Sequence, residues 1–66
     1  MTADRQKTKL AMSRACMNPA DIAKAADMPL QTVNRALLGR GIRPATLGKI
    51  AKALGVDPAD IIEEEA

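Results

Sequence analysis

The chain has 66 residues, a net charge of +2, a single cysteine, and neither histidine nor any aromatic side chain. Single-chain zinc ligation, an internal disulfide and any Ser-His-Asp or Cys-His catalytic set are thereby excluded. What remains is one small domain, 1–66, with a thin core of Leu, Ile, Val, Met and Ala, whose expected stability is modest unless the chain dimerises or binds something.

The first predicted helix covers roughly residues 3–16 and is rich in Ala, Lys and Arg, with Leu10 as its main apolar anchor and Ala11 and Met17 in support. Asn18 and Pro19 open a second helix. Asn is a good N-cap, Pro suits the first helical position, and Asp21 places negative charge where the helix dipole favours it. Ile22, Ala23 and Ala26 form its apolar face, and it ends near Ala26. Asp27 tolerates a left-handed turn, and Met28 lies in that turn. Pro29 starts a third helix that runs to about Leu38, with Val33, Ala36 and Leu37 as its apolar face and Gly39 as its left-handed C-terminal cap.

Arg40, Gly41, Ile42 and Arg43 read as a loop. Pro44 opens a fourth helix with Leu47, Ile50, Ala51 and Leu54 at core spacing, closed by Gly55, and Val56 packs behind it. Asp57 to Asp60 predict the start of a short fifth helix carrying Ile61 and Ile62, followed by an acidic tail at 63–66 that frays. Glycine inside a helix costs about 1 kcal/mol relative to alanine. Gly48 is therefore expected where something passes close, tight helix packing first and a DNA phosphate second. Cys16 is expected to be buried at a helix end, and Met12, Met17 and Met28 to serve as packing residues. No strand pattern, repeat or low-complexity segment is visible.

Charge is uneven along the chain. Residues 1–43 carry eight basic and three acidic side chains, residues 44–66 two and five. A basic part beside an acidic tail suits approach to a phosphate backbone. Residues 19–38 form two short apolar-faced helices around a tight turn, with Gln31, Asn34 and Arg35 pointing away from the apolar side. That layout is a helix-turn-helix, whose second helix offers polar side chains to a DNA groove. Aromatic platforms for stacking single-stranded bases are absent, so duplex DNA is the natural polyanion. The chain shows no membrane-spanning run, no signal-peptide pattern and no phosphate-binding glycine loop. These features predict a cytoplasmic protein that is not an enzyme and needs neither cofactor nor metal.

The residues Ile22-Ala23, Ala26, Met28, Thr32-Val33, Arg35 and Gly39, with Pro44, Leu47 and the run Ile50-Ala51-Lys52-Ala53-Leu54-Gly55-Val56, resemble the phage-repressor (Xre/Cro-type) helix-turn-helix family from about Met17 to Ile62. The resemblance implies an all-α, compact five-helix lambda-repressor-like DNA-binding domain. It implies that the third helix lies in the major groove of double-stranded DNA, commonly as a homodimer on a palindromic operator. Carried over by position, the base-reading candidates are Leu30, Gln31, Asn34 and Arg35. Gln31 and Asn34 suit adenine, Arg35 suits guanine, and Leu30 can touch only something apolar such as a thymine methyl. Thr32, Arg40, Arg43, Asn18 and Lys24 are phosphate candidates, with Lys7, Lys9 and Arg14 weaker. The chain departs from the family at Asp27, where glycine is frequent, and at Pro29, where a Ser or Thr cap is usual. It departs again at Pro19 and Leu30, where polar residues are usual.

Three functions fit such a domain. The first is a transcriptional regulator, a repressor acting by operator occupancy, with Leu38, Ile42 and one of Ile61 or Ile62 as a dimer patch. The others are an antitoxin-like or regulatory protein-interaction module, and a mobile-element accessory factor on the same surface.

Overall fold

In a computed structural model, residues 1–63 are described. Four α-helices, α1 (Arg5–Ala15), α2 (Pro19–Ala26), α3 (Leu30–Leu37) and α4 (Pro44–Leu54), precede one turn of 3₁₀ helix at Pro58–Asp60. The α-helical class and the helix-turn-helix stand as expected. The fifth helix does not form as an α-helix. Asp57 and Asp60 close a capping box around three residues, and Ile61 and Ile62 then leave the helical path. The expected tail at 63–66 is described only at Glu63, and the remainder lies outside the described residues.

Local chemistry explains the boundaries of α2. The Asn18 side chain accepts from the Asp21 amide at 2.8 Å, and the Asp21 carboxylate accepts from the Asn18 amide at 3.0 Å. This reciprocal pairing satisfies two of the donors that a helix start leaves open. Asp27 ends α2 with φ 53°, and its amide donates to Lys24 O. Pro29 caps α3 without a side-chain hydrogen bond. A fixed φ rather than a polar cap therefore sets where α3 begins.

The core comprises Ile22, Val33, Leu47, Ile50, Leu54, Ile61 and four alanines, Ala3, Ala11, Ala36 and Ala51. Small residues at these positions let helix backbones approach closely. α4 is the central element, packing against α2, α1 and the 3₁₀ turn, while α2 also packs against α3. α1 faces this core with Thr8 and Ala11, both buried, and with half-buried Met12 and Ala15. Those four follow the i, i+3, i+4, i+7 stripe of a helix face. Leu10 lies off the stripe and is 53% exposed, so it is not the anchor of α1. Thr8 holds that place because its hydroxyl donates to Asp4 O at 2.6 Å, which satisfies the polar atom that burial would otherwise strand.

Residues 1–4 pair rather than begin the helix. Ala3 bridges Ile62 in antiparallel sense. The Asp4 amide donates to Ile61 O at 2.7 Å, the Glu63 amide to Thr2 O at 3.0 Å, and the Ile42 amide to Met1 O at 2.8 Å. The amino-terminal segment thus lies between the α3–α4 loop and the segment that follows the 3₁₀ turn. Glu63 is held by this pairing instead of fraying.

Two further expectations are corrected. Cys16 is exposed and stands in the left-handed region with φ 54°, because it is the C-cap of α1 and its side chain turns away from the core. Gly48 has nothing within 4 Å of the position a β-carbon would take, so close helix packing does not account for it.

Candidate nucleic-acid interface

α3 divides cleanly into two sides. Val33 and Ala36 are buried and Leu37 is half-buried, while Leu30, Gln31, Asn34 and Arg35 are exposed. At 100° per residue these four span an arc of about 140° on one face of the helix. The inner side fixes α3 against α2, and so the outer side is presented on a rigid support. Packing of Val33 and Ala36 into the core is what aims the four outer side chains.

Gln31, Thr32 and Arg35 line one open groove with Arg43, Ile42 and Thr46. The groove runs between α3, the loop after it and the first turn of α4. Thr32 is half-buried and stands at the groove wall, whereas Arg43 is exposed. Arg43 occupies the N-cap position of α4 but makes no side-chain capping bond. Its guanidinium is therefore not committed to capping, and the first amides of α4 lie beside it. A helix N-terminus with exposed amides favours an anion such as a phosphate.

The other predicted contacts sit outside this groove. Leu30 and Asn34 share the outer arc of α3 but do not line it. Arg40 is exposed one residue past Gly39, with its amide donating to Arg35 O at 3.2 Å. Asn18 has its side-chain oxygen engaged by the capping box, which leaves its Nδ2 as the donor for an outside partner. Lys24 is exposed in the last turn of α2.

Sequence reasoning overlooked two neighbours of the site. Thr46 lines the groove from the first turn of α4, and a hydroxyl two residues after a helix-opening proline was a readable cue. Met1 also lines the groove, carried there by the pairing with Ile42, and no local signal in the sequence reports that. Among the described residues, no group of His, Cys, Asp and Glu is placed to hold a metal ion, and no helix is long and apolar enough to cross a membrane.

Comparison with known proteins adds the family context. A family described as the Cro/C1-type HTH DNA-binding domain matches residues 8–66. No curated protein matches the chain significantly. Among solved structures, the chain is similar to a mutant of hydroxyethylphosphonate dioxygenase, with a TM-score of 0.83 and 27% identity, over 100% of this chain and 14% of that one. It is likewise similar to a 2-hydroxyethylphosphonate dioxygenase variant, with a TM-score of 0.82 and 26% identity, over 96% of this chain and 15% of that one. The chain therefore corresponds to a small part of each dioxygenase.

Proposed function

Because the chain belongs to the Cro/C1-type helix-turn-helix DNA-binding domain family, we propose that it is a sequence-specific regulator of transcription that reads duplex DNA through the outer face of α3. The observation that carries this reading is the two-sided α3. Three hydrogen-bonding side chains, Gln31, Asn34 and Arg35, are exposed on one arc while Val33 and Ala36 are locked in the core. Gln31 and Asn34 have the paired donor and acceptor that match adenine in the major groove, and Arg35 has the fork that matches guanine. Thr32, Arg40 and Arg43 contact phosphates and fix the register, with Asn18 and Lys24 as outer contacts.

One such module touches few base pairs, so it acts as a homodimer on a palindromic site. It works by occupancy in the cytoplasm, as a repressor that covers its operator, and performs no reaction of its own. Leu38, 58% exposed, and half-buried Ile42 and Ile62 are the apolar residues offered to the dimer. Ile61 is fully buried and drops out of that set.

The likeness to a small part of dioxygenase chains favours a second reading, in which this fold packs against protein instead of DNA. In vitro selection from a random duplex library separates the two. An enriched palindrome bound far more tightly than random DNA supports the regulator. Weak binding that disappears as salt rises, with no enrichment, supports the protein-packing role.

A further inference from the structure

Leu30 is the anomaly of the outer face of α3. Every other apolar side chain of that helix turns inward, with Val33 and Ala36 buried and Leu37 half-buried, yet Leu30 is 45% exposed. It is the first residue of α3, directly after Pro29. Its neighbours on the exposed arc are Gln31, Asn34 and Arg35. Leu38, the next exposed leucine, is eight residues on, about 12 Å along a helix axis at 1.5 Å per residue. Leu30 thus stands at one end of the exposed arc, with half-buried Leu37, seven residues on, about 20° from it around the helix and the polar side chains of the arc on its other side.

The first residues of a recognition helix are those that approach base edges in the major groove. Leucine has no hydrogen-bonding group to offer there. The apolar feature displayed in that groove is the C5 methyl of thymine, and 5-methylcytosine presents a methyl at the same ring position. We propose that Leu30 makes the chain a reader of a 5-methylpyrimidine, so that each half-site contains one pyrimidine whose methyl group is required for full affinity. This rests on the DNA-reading function of α3 proposed above. Cytosine-5 methylation at that step is then a chemical change the chain senses directly, because C and 5-methylcytosine differ only by the group Leu30 touches.

The experiment uses the full chain and the duplex enriched by selection. Each thymine is replaced in turn by deoxyuridine, which removes the methyl and leaves every hydrogen-bonding group in place. One position per half-site is expected to lose affinity about fourfold, the scale of one buried methyl-sized group. At that position 5-methylcytosine binds more tightly than cytosine by a similar factor. Leu30→Ala binds the thymine and deoxyuridine duplexes alike, and Leu30→Met, which keeps an apolar contact, retains the difference. Both variants change an exposed residue, and their melting curves confirm that the fold is retained. The proposal is overturned if no thymine shows the dependence, or if Leu30→Ala keeps the parent's ratio. Failure to enrich any duplex overturns the DNA-reading function itself. An enriched duplex with no methyl dependence overturns only the role of Leu30.

Discussion

The Thr2 hydroxyl donates to the Glu63 carboxylate at 2.7 Å, joining a residue ahead of α1 to one beyond the 3₁₀ turn. This contact is the outer edge of a short pairing that also brings Ala3 against Ile62 and leaves Ile61 with no exposed surface. Residues flanking the helices thus close the core beneath α4. Ile61→Ala should cost about 2–5 kcal/mol, the range for a buried aliphatic truncation. For a domain of this size that is a large part of the total stability. Glu63→Gln alters only an exposed contact and should cost less than about 1 kcal/mol. Urea unfolding followed by circular dichroism measures both. Equal, small effects would show that the pairing adds little to the core.

Gly48 offers a gain. It stands inside α4, and a β-carbon placed there meets nothing within 4 Å. Gly48→Ala should therefore raise stability by about 1 kcal/mol through helix propensity alone. For a domain of this length the melting midpoint should rise by about 4–8 °C. The same variant tests why glycine is there. If stability rises and affinity for a selected duplex falls, a DNA backbone passes close to this position. If both are kept or improved, no close approach exists there.

The parts of the fold that were legible in the sequence are those fixed by signals a few residues apart. Asn18, Pro19 and Asp21 announce α2, Asp27 marks its left-handed end, and the period of Val33, Ala36 and Leu37 gives the inner face of α3. The exposure of Gln31, Asn34 and Arg35 follows from that same period. What was not legible depends on residues distant in the chain. Leu10 reads as an anchor on hydrophobicity, but the close packing of α1 selects the smaller Thr8 and Ala11. Ile61 and Ile62 read as helical, but a partner some sixty residues earlier, Ala3, draws Ile62 into an extended bridge. Met1 enters the α3 groove by the same long-range pairing. At Cys16, residue type alone misled. Cysteine is commonly buried, and the left-handed C-cap it occupies turns it outward.

That left-handed cap gives a further test. Cys16 adopts φ 54° at the end of α1, with its amide donating to Ser13 O at 3.2 Å. A left-handed conformation costs a residue with a β-carbon about 1–2 kcal/mol, and glycine avoids this cost while losing about 0.5–1 kcal/mol of chain entropy. Cys16→Gly should leave stability unchanged or raise it by up to about 1.5 kcal/mol. Cys16→Val, β-branched at the same φ, should lower it by more than 1 kcal/mol. Thermal melting under reducing conditions reads the difference. The opposite order would mean that the α1 cap is not left-handed in solution.

Arg35 and Arg43 line the same groove from different elements, and their roles in DNA binding should separate. Arg35 projects from α3, among the exposed side chains that we propose face base edges. Arg43 stands at the start of α4, beside amides suited to phosphate. Arg35→Ala should cost about 1–3 kcal/mol on the selected duplex and relax the preference at one base pair. Arg43→Ala should weaken selected and random duplexes alike and lower the slope of log affinity against log salt by about one, since one fewer phosphate is neutralised. Titrations of both duplexes at several salt concentrations distinguish these patterns. A base-specific loss from Arg43→Ala with a uniform loss from Arg35→Ala would exchange their roles and place a different element in the groove. Parent-like binding by both variants would remove α3 from the DNA interface altogether.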